Sequence, residues 1–517
     1  MISVTGPALK AATSKTIASL NAITSKLAKK DHTLWGKEAE VEAAIRLNWV
    51  TLPETSRALL PELDALSAWA REKKITSIVL AGMGGSSLAP EVIAKTYGTT
   101  KMTFTVLDTT DPDQIAAAIP ADLHHCLVVV GSKSGSTIET ASHKALFTEL
   151  FLSAGCDPKD HFVIVTDPGS PLDKSSRTAG LKVINADPNV GGRYSALTAF
   201  GLVPAALLGV DVSILLDDAA AAAAAFTEPD SVPVLIAATI VDVTEQNVAF
   251  FDSDSDVPGL SDWVEQLIAE STGKNQTGRL PIVIESATSP VAGNALRIGF
   301  ADSADSDLTV VASLGAQFIT WEWVTALVGY ALKVDPFNQP NVTEAKERTG
   351  TLLSTWRNGK VPSFTPAFED DLLEIFSDSS ADSILGQLHD LFSQADHYVA
   401  IMAYLSRGID DGVLEIRQTI ASKSQKGTTF GWGPRFLHST GQFHKGGQHN
   451  GAFLQITGEN LTEIAIPGQN FTFHTLLMAQ ALGDGQALAD RNFPLARIHL
   501  KNRQTGLQRI IDELKKI

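Results

Sequence analysis

Residues 75–97, ITSIVLAGMGGSSLAPEVIAKTY, and 126–140, CLVVVGSKSGSTIET, decide the fold. Ile75 to Ala81 is a short apolar run, followed by a Gly-rich turn and a helix around Pro90 to Tyr97. Cys126 to Gly131 is a wholly apolar run that leads through Ser132–Thr137 into a helix ending near Gly155. Thr103 to Asp108 and Phe162 to Thr166 read as further strands, with a helix near Pro112 to Ala118. Continuous Val/Ile strands separated by helices predict a parallel sheet covered on both faces. The expectation is an α/β, doubly wound domain over 51–225.

The two turns carry the first chemical signal. Ala81-Gly-Met-Gly-Gly-Ser-Ser87 sits where small residues let backbone approach a ligand, with free N–H groups at the following helix start. No sequel with a ribose-binding acid follows, so the dinucleotide fingerprint is not met. Ser132-Lys-Ser-Gly-Ser-Thr-Ile-Glu-Thr140 offers the hydroxyls of Ser132, Ser134, Ser136, Thr137 and Thr140 around a helix N-terminus. Such a set can surround a phosphate, although Ser and Thr also cap helices for structural reasons alone. The pattern is not the Gly/Lys loop of ATP- and GTP-binding proteins.

Composition narrows the partners. The chain has 517 residues with a formal net charge of −17, which as a whole repels nucleic acid and anionic membrane. A small anionic substrate remains compatible, because local dipoles bind one inside an acidic protein. Cys126 and Cys156 are the only cysteines, too few for a disulfide framework or a four-cysteine zinc site. With no apolar leader over Met1 to Leu20, a cytoplasmic protein is expected. The apolar stretch Ala205 to Phe226 is broken by Asp211, Asp217 and Asp218, and reads as a buried helix, a break and an Ala-rich helix.

The rest divides coarsely. Residues 1–50 read as a helical N-terminal segment. Ile282 to Glu285 and Leu308 to Ala312 read as strands and Gln317 to Leu332 as a long helix, giving a second α/β domain over 226–362. Pro362 to Asp382, rich in Pro, Ser and acids, reads as a linker. Tyr398 to Leu405 and Gly451 to Thr457 read as strands of an additional α/β region over 363–517, either separate or completing the second domain.

The paired turns resemble the sugar isomerase (SIS) fold, in which the Ser/Thr turn holds a sugar phosphate. Asn189-Val-Gly-Gly-Arg-Tyr-Ser195 resembles the V-G-G-R-[YF]-S motif of the phosphoglucose isomerase family. Glu265-Gln-Leu-Ile-Ala-Glu-Ser-Thr-Gly-Lys274 resembles its Q-x-x-x-E-S-x-G-K motif, and Asp335-Pro-Phe-Asn-Gln-Pro-Asn-Val-Thr-Glu-Ala-Lys346 its [ND]-P-F-[DN]-Q-x-x-V-E-x-x-K motif. The tail, with its Gly-Pro-Arg-Phe-Leu-His-Ser-Thr-Gly-Gln stretch, is similar to the isomerase half of fused transaldolase–phosphoglucose isomerases. The resemblance implies two SIS-type αβα subdomains and interconversion of glucose 6-phosphate and fructose 6-phosphate. An isomerase for another hexose phosphate such as mannose 6-phosphate, or a non-catalytic sugar-phosphate sensor, stays open.

That chemistry opens a sugar ring, then moves a proton between adjacent carbons through an anionic cis-enediolate, with the phosphate as a remote handle. By the resemblance, Glu270 is the base, Arg193 stabilises the enediolate, Lys346 lies near the ring oxygen, and Gln266 and Gln339 contact the substrate. Gly192 lets backbone come close. Gly85, Ser86, Ser132, Lys133, Ser134, Ser136, Thr137 and Thr140 hold the phosphate. The family places a ring-opening His between the Glu and the Lys, but no His lies between Glu270 and Lys346, where Gln317 falls near the position. Leu437-His-Ser-Thr-Gly-Gln-Phe443 resembles the stretch that carries this His in some bacterial members, making His438 the candidate, with His444, Lys445 and His449 as others. A metal site built from His438, His444 and His449 has no supporting spacing, and proton transfer calls for no cofactor. The implied partner is a hexose phosphate, and the assembly a monomer or a homodimer.

Overall fold

The computed structural model of the chain describes residues 2–99, 102–291, 295–356 and 359–516. Strand β1 (Ser3–Thr5) is followed by helices that include Ser14–Ala28, Glu40–Arg46 and Leu60–Glu72. The first sheet then forms from β2 (Ser77–Gly82), β3 (Thr103–Leu107), β4 (Cys126–Gly131), β5 (Phe162–Thr166) and β6 (Lys182–Asn185). Its order is β3-β2-β4-β5-β6 and every pairing is parallel. Strands β2, β4 and β5 are buried along their whole length, because helices cover both faces. The chain moves outward from β2 to β3 and returns on the other side as β4, so the turns after β2 and β4 flank the switch point where open α/β sheets bind ligands. Gly82 pairs with Gly131 in register, which brings both turns to one edge.

The second sheet contains β7 (Asn247–Phe251), β8 (Leu280–Val283), β9 (Ala295–Gly299) and β10 (Leu308–Val311), in the order β1-β10-β9-β7-β8. All pairs are parallel except β1, which lies antiparallel on β10. The reading of 1–50 as helical is therefore corrected at Ser3–Thr5: three residues are too few to show a period, and the edge of β10 recruits them. The helix Leu260–Thr272 crosses from β7 to β8 and is buried almost throughout. It packs against the long helix Leu314–Leu332, with Trp263 edge-on to Phe318 at 4.8 Å.

The third sheet is separate. It comprises β11 (Phe368–Glu369), β12 (Leu373–Phe376), β13 (Tyr398–Ala403), β14 (Gly427–Trp432), β15 (Gly451–Gly458) and β16 (Leu495–Leu500), in the order β11-β12-β16-β15-β13-β14. The strands from β16 to β14 are parallel, and β11 and β12 add an antiparallel edge. The C-terminal region thus builds its own sheet and core, and among the described residues it adds no strand to the second one. The linker reading of Pro362 to Asp382 is corrected as well. Composition masked a period of two, in which Leu373 and Ile375 are fully buried while Glu374 and Phe376 are not. The stretch Ala205 to Phe226 is two helices, Ala199–Leu207 and Val212–Ala223, split at Gly209. Among the described residues no helix is long and apolar enough to cross a membrane.

The β12 assignment is testable. Ile375→Ala removes buried methylenes and is expected to cost about 2–5 kcal/mol in urea unfolding, whereas Glu374→Ala stays within about 0.5 kcal/mol. A segment acting as a linker would show little change for either substitution.

Candidate active site

The turn after β2 tightens into a 3₁₀ turn over Gly84–Ser86. Its glycines are required by what packs on them. A Cβ on Gly85 would lie 1.9 Å from the Gly192 carbonyl oxygen. Gly84 has φ +55°, and a Cβ there would lie 2.9 Å from the His438 carbonyl oxygen. A Cβ on Gly192 would meet no protein atom within 4 Å, and Gly192 lines the cavity described below, while Gly85 is the glycine crowded by protein backbone.

The turn after β4 is held by its own hydroxyls. Ser132 Oγ donates to Thr137 Oγ1 at 3.2 Å and accepts from the Gly135 N–H, while Ser134 and Ser136 hydroxyls lie 2.8 Å apart. Lys133 Nζ pairs with Asp167 at 2.7 Å. Burial lowers the Lys133 pKa, and Asp167 offsets part of that effect.

The helix Leu260–Thr272 places Gln266 and Glu270 four residues apart on one face. Gln266 Nε2 donates to Glu270 Oε2 at 3.1 Å and to the His438 carbonyl at 2.8 Å. Arg193 Nη1 lies 3.2 Å from Glu270 Oε1, with both side chains nearly buried. The guanidinium is fixed on its other sides. Nε donates to Ser271 Oγ at 2.7 Å, Nη1 to Gln339 Oε1 at 3.0 Å, and Nη2 to the Pro336 carbonyl at 2.6 Å. A planar donor fork suits this demand for several acceptors at set angles.

His438 ends a 3₁₀ turn, Arg435–His438, that returns to the edge of the first sheet. Its Nε2 lies 3.0 Å from Glu139 Oε1. Glu139 follows the hydroxyl turn on the helix Ile138–Ser153 and is buried. Burial pushes its carboxyl up, but the His438 charge and hydrogen bond pull it further down, to about 2. An ionised carboxylate only accepts, so His438 presents an Nε2–H to Glu139, and in the neutral imidazole Nδ1 is then the acceptor nitrogen. Lys346 projects from the helix Pro340–Thr355 and forms no ion pair among the described residues.

These groups converge on one cavity of about 400 Å³. Gly85, Ser86, Ser132, Lys133, Ser134, Thr137, Gly192, Arg193, Gln266, Glu270, Gln339, Lys346 and His438 all line it. Ser136 does not; it lines an adjoining space of about 130 Å³ together with Glu139, Lys346, His438 and Gln480. Thr140 lines neither and is buried a helical turn behind, with its Oγ1 lacking a partner. Gln317 is not in the site. It is fully buried in the second core, where Nε2 donates to the Val310 carbonyl at 2.9 Å and Oε1 accepts from Trp321 Nε1 at 3.1 Å. His444 is enclosed by Tyr398, Phe436 and Phe453, and burial pushes its imidazole down to about 3. Lys445 is tied to Asp484 at 2.6 Å, and His449 stacks on Phe493. The three histidines therefore point to different places. Sequence reasoning missed Glu139, Arg46 and Asp167. Glu139 lay inside the hydroxyl-rich stretch, where an acid in a first helical turn looks like a dipole-compensating charge.

Residues 64–294 match the family model described as Phosphoglucose isomerase. The glucose-6-phosphate isomerase of Thermus thermophilus is 33% identical over 241 residues, which cover 45% of this chain and 57% of that protein. The Campylobacter jejuni enzyme of the same name is 31% identical over 266 residues, covering 48% and 65%. The chain thus spans between half and two thirds of the length of these curated relatives. The crystal structure of a glucose-6-phosphate isomerase from Chlamydia trachomatis superposes with a TM-score of 0.52 at 21% identity, covering 67% of this chain and 88% of that one. The fold is the expected SIS-type α/β architecture. The family match includes Arg193 and Glu270 but ends before Lys346 and His438.

Gln317→Leu separates core from site. It leaves the Trp321 N–H and the Val310 carbonyl unpaired and is expected to cost about 1–3 kcal/mol of stability per orphaned group. The dissociation constant for a hexose phosphate, the ligand proposed below, is expected to be unchanged when measured by calorimetry. Weakened binding at unchanged stability would return Gln317 to the site.

Proposed function

We propose that the protein interconverts glucose 6-phosphate and fructose 6-phosphate. The observation that carries this reading is the convergence on one cavity of an arginine-paired Glu270, a hydroxyl-rich phosphate turn and a carboxylate-backed His438. The family match and the similar enzymes support it.

In this reading the substrate phosphate sits on the Ser132–Thr137 turn and the neighbouring Ser86, met by hydroxyls and backbone N–H groups. Its binding orients the reacting carbons over the helix Leu260–Thr272. His438 Nδ1 and Lys346 exchange the protons that open the ring, with Glu139 stabilising the imidazolium as it forms. Glu270 then takes the proton from C2 and returns it to C1, while the hydroxyl proton passes from O2 to O1. Arg193, already 3.2 Å from the Glu270 carboxylate, faces the developing enediolate with a permanent charge. The step leaves the substrate's overall oxidation level unchanged, so no redox partner enters it.

The three sheets, drawn from 51–225, from 226–362 with the added edge strand Ser3–Thr5, and from 363–517, act in this reading as three units around one site. The groups invoked here lie close together within one chain, and the assembly in this reading is a monomer or a homodimer. The two buried, unpaired cysteines fit a cytoplasmic setting. The tail fits the isomerase half of a fused transaldolase–isomerase.

A coupled assay tests the proposal. Wild-type protein is expected to convert fructose 6-phosphate to glucose 6-phosphate with excess chelator present, and Glu270→Gln to lower kcat by about 10²–10⁴. His438→Gln is expected to slow the ring-closed substrate and to spare a hexose phosphate blocked at O5. Activity that survives Glu270→Gln contradicts the base assignment, and an inactive wild type contradicts the function.

A further inference from the structure

Glu139 is held from behind by groups that the reaction itself does not need. Gln480, on the helix Phe473–Ala489 of the C-terminal region, places Nε2 2.7 Å from Glu139 Oε1, the same oxygen that meets His438. Thr110, in the loop after β3, places its hydroxyl 2.6 Å from Gln480 Oε1. Thr110 is fully buried and Gln480 nearly so. The loop is anchored in turn by His143, one helical turn after Glu139, whose Nε2 lies 2.8 Å from the Thr109 carbonyl.

The chemistry fixes the direction of this chain. An ionised carboxylate only accepts, so the Gln480 atom facing Glu139 must be the amide nitrogen. The amide oxygen then faces Thr110, which must donate. Glutamine is the residue type that gives a donor at one end and an acceptor at the other. A leucine or methionine would leave the buried carboxylate one donor short, and a glutamate would set two carboxylates together.

We propose that Gln480, oriented by Thr110, is a positioning residue that aims the Glu139 carboxylate at His438 Nε2 and thereby sets the tautomer and ring plane of the ring-opening histidine. This rests on the reading of His438 as the ring-opening group. It adds that the C-terminal region supplies both the histidine and, through a second helix, the clamp on the carboxylate behind it.

The test uses the full chain with Gln480→Met, which keeps the volume and removes the donor. On ring-closed glucose 6-phosphate kcat/KM is expected to fall about tenfold, which corresponds to about 1.4 kcal/mol. Turnover of the O5-blocked hexose phosphate is expected to be unchanged. On a Glu139→Gln background, Gln480→Met is expected to add no further loss, because it acts only through that carboxylate. Thr110→Val is expected to give a smaller loss in the same direction and serves if Gln480→Met fails to fold. A second readout needs no turnover. Spectra of ¹⁵N-labelled histidine, with His438 assigned from His438→Gln, are expected to show Nε2 protonated in the wild type and a mixture of tautomers in Gln480→Met. A wild type that is inactive but shows this tautomer change defeats the isomerase reading and leaves the positioning role standing. An unchanged tautomer, or losses that add on the Glu139→Gln background, overturns the positioning role.

Discussion

One glutamine side chain ties the helices that carry Glu270 and Lys346 to the returning tail. Gln442 Oε1 accepts from the Asn341 backbone N–H at 3.0 Å, and Nε2 donates to the Gly273 carbonyl at 3.0 Å and to Asn341 Oδ1 at 2.8 Å. Gly273 ends the helix that carries Glu270, and Asn341 begins the helix that carries Lys346. A single buried side chain thus satisfies orphan groups at the end of one helix and the start of the other. It lies four residues after His438, so the same short stretch brings in the histidine. The glycines around it show how little slack remains. A Cβ on Gly273 would lie 2.5 Å from Phe443, and one on Gly446 would lie 2.6 Å from the Gly273 carbonyl oxygen. These contacts fix the tail in the crevice between the first two sheets.

The electrostatics follow from the same geometry. The chain carries −17 overall, yet Arg46, Lys133, Arg193 and Lys346 line the cavity against Asp167 and Glu270. Local concentration of cations, with helix and turn N–H groups, is what an anionic substrate experiences at short range. The charges are also arranged for use. Arg193 is held by protein acceptors on several sides beside Glu270, whereas Lys346 is free of ion pairs among the described residues.

The first sheet was legible in the sequence because fully buried parallel strands read as unbroken Val/Ile runs, with glycine and serine at their ends. Cys126–Gly131 was found at its actual bounds for that reason. Short edge strands were not legible. Ser3–Thr5 has no pattern of its own, and the alternation in Leu373–Phe376 was hidden by the acids and prolines around it. Within the site, the motif residues were readable one by one, but their convergence was not. His438 stands after Lys346 in the chain, and only the third sheet explains how it reaches the turn after β2. Gln317 shows the converse. Its position in the chain falls near that of the family histidine, while its environment makes it a core hydrogen-bonding residue. Glu139 lay within a stretch already singled out, yet its role depends on a partner 299 residues away.

The central claim is that one chain builds the whole site, with His438 and Glu270 supplied in cis. Complementation tests it most directly. Glu270→Gln and His438→Gln proteins are mixed, unfolded and refolded together, and isomerase turnover is measured against each variant refolded alone. A site completed within one chain predicts that the mixture never exceeds the more active variant. Recovery of a substantial fraction of wild-type turnover would mean that His438 of one chain serves Glu270 of another, and would contradict the account.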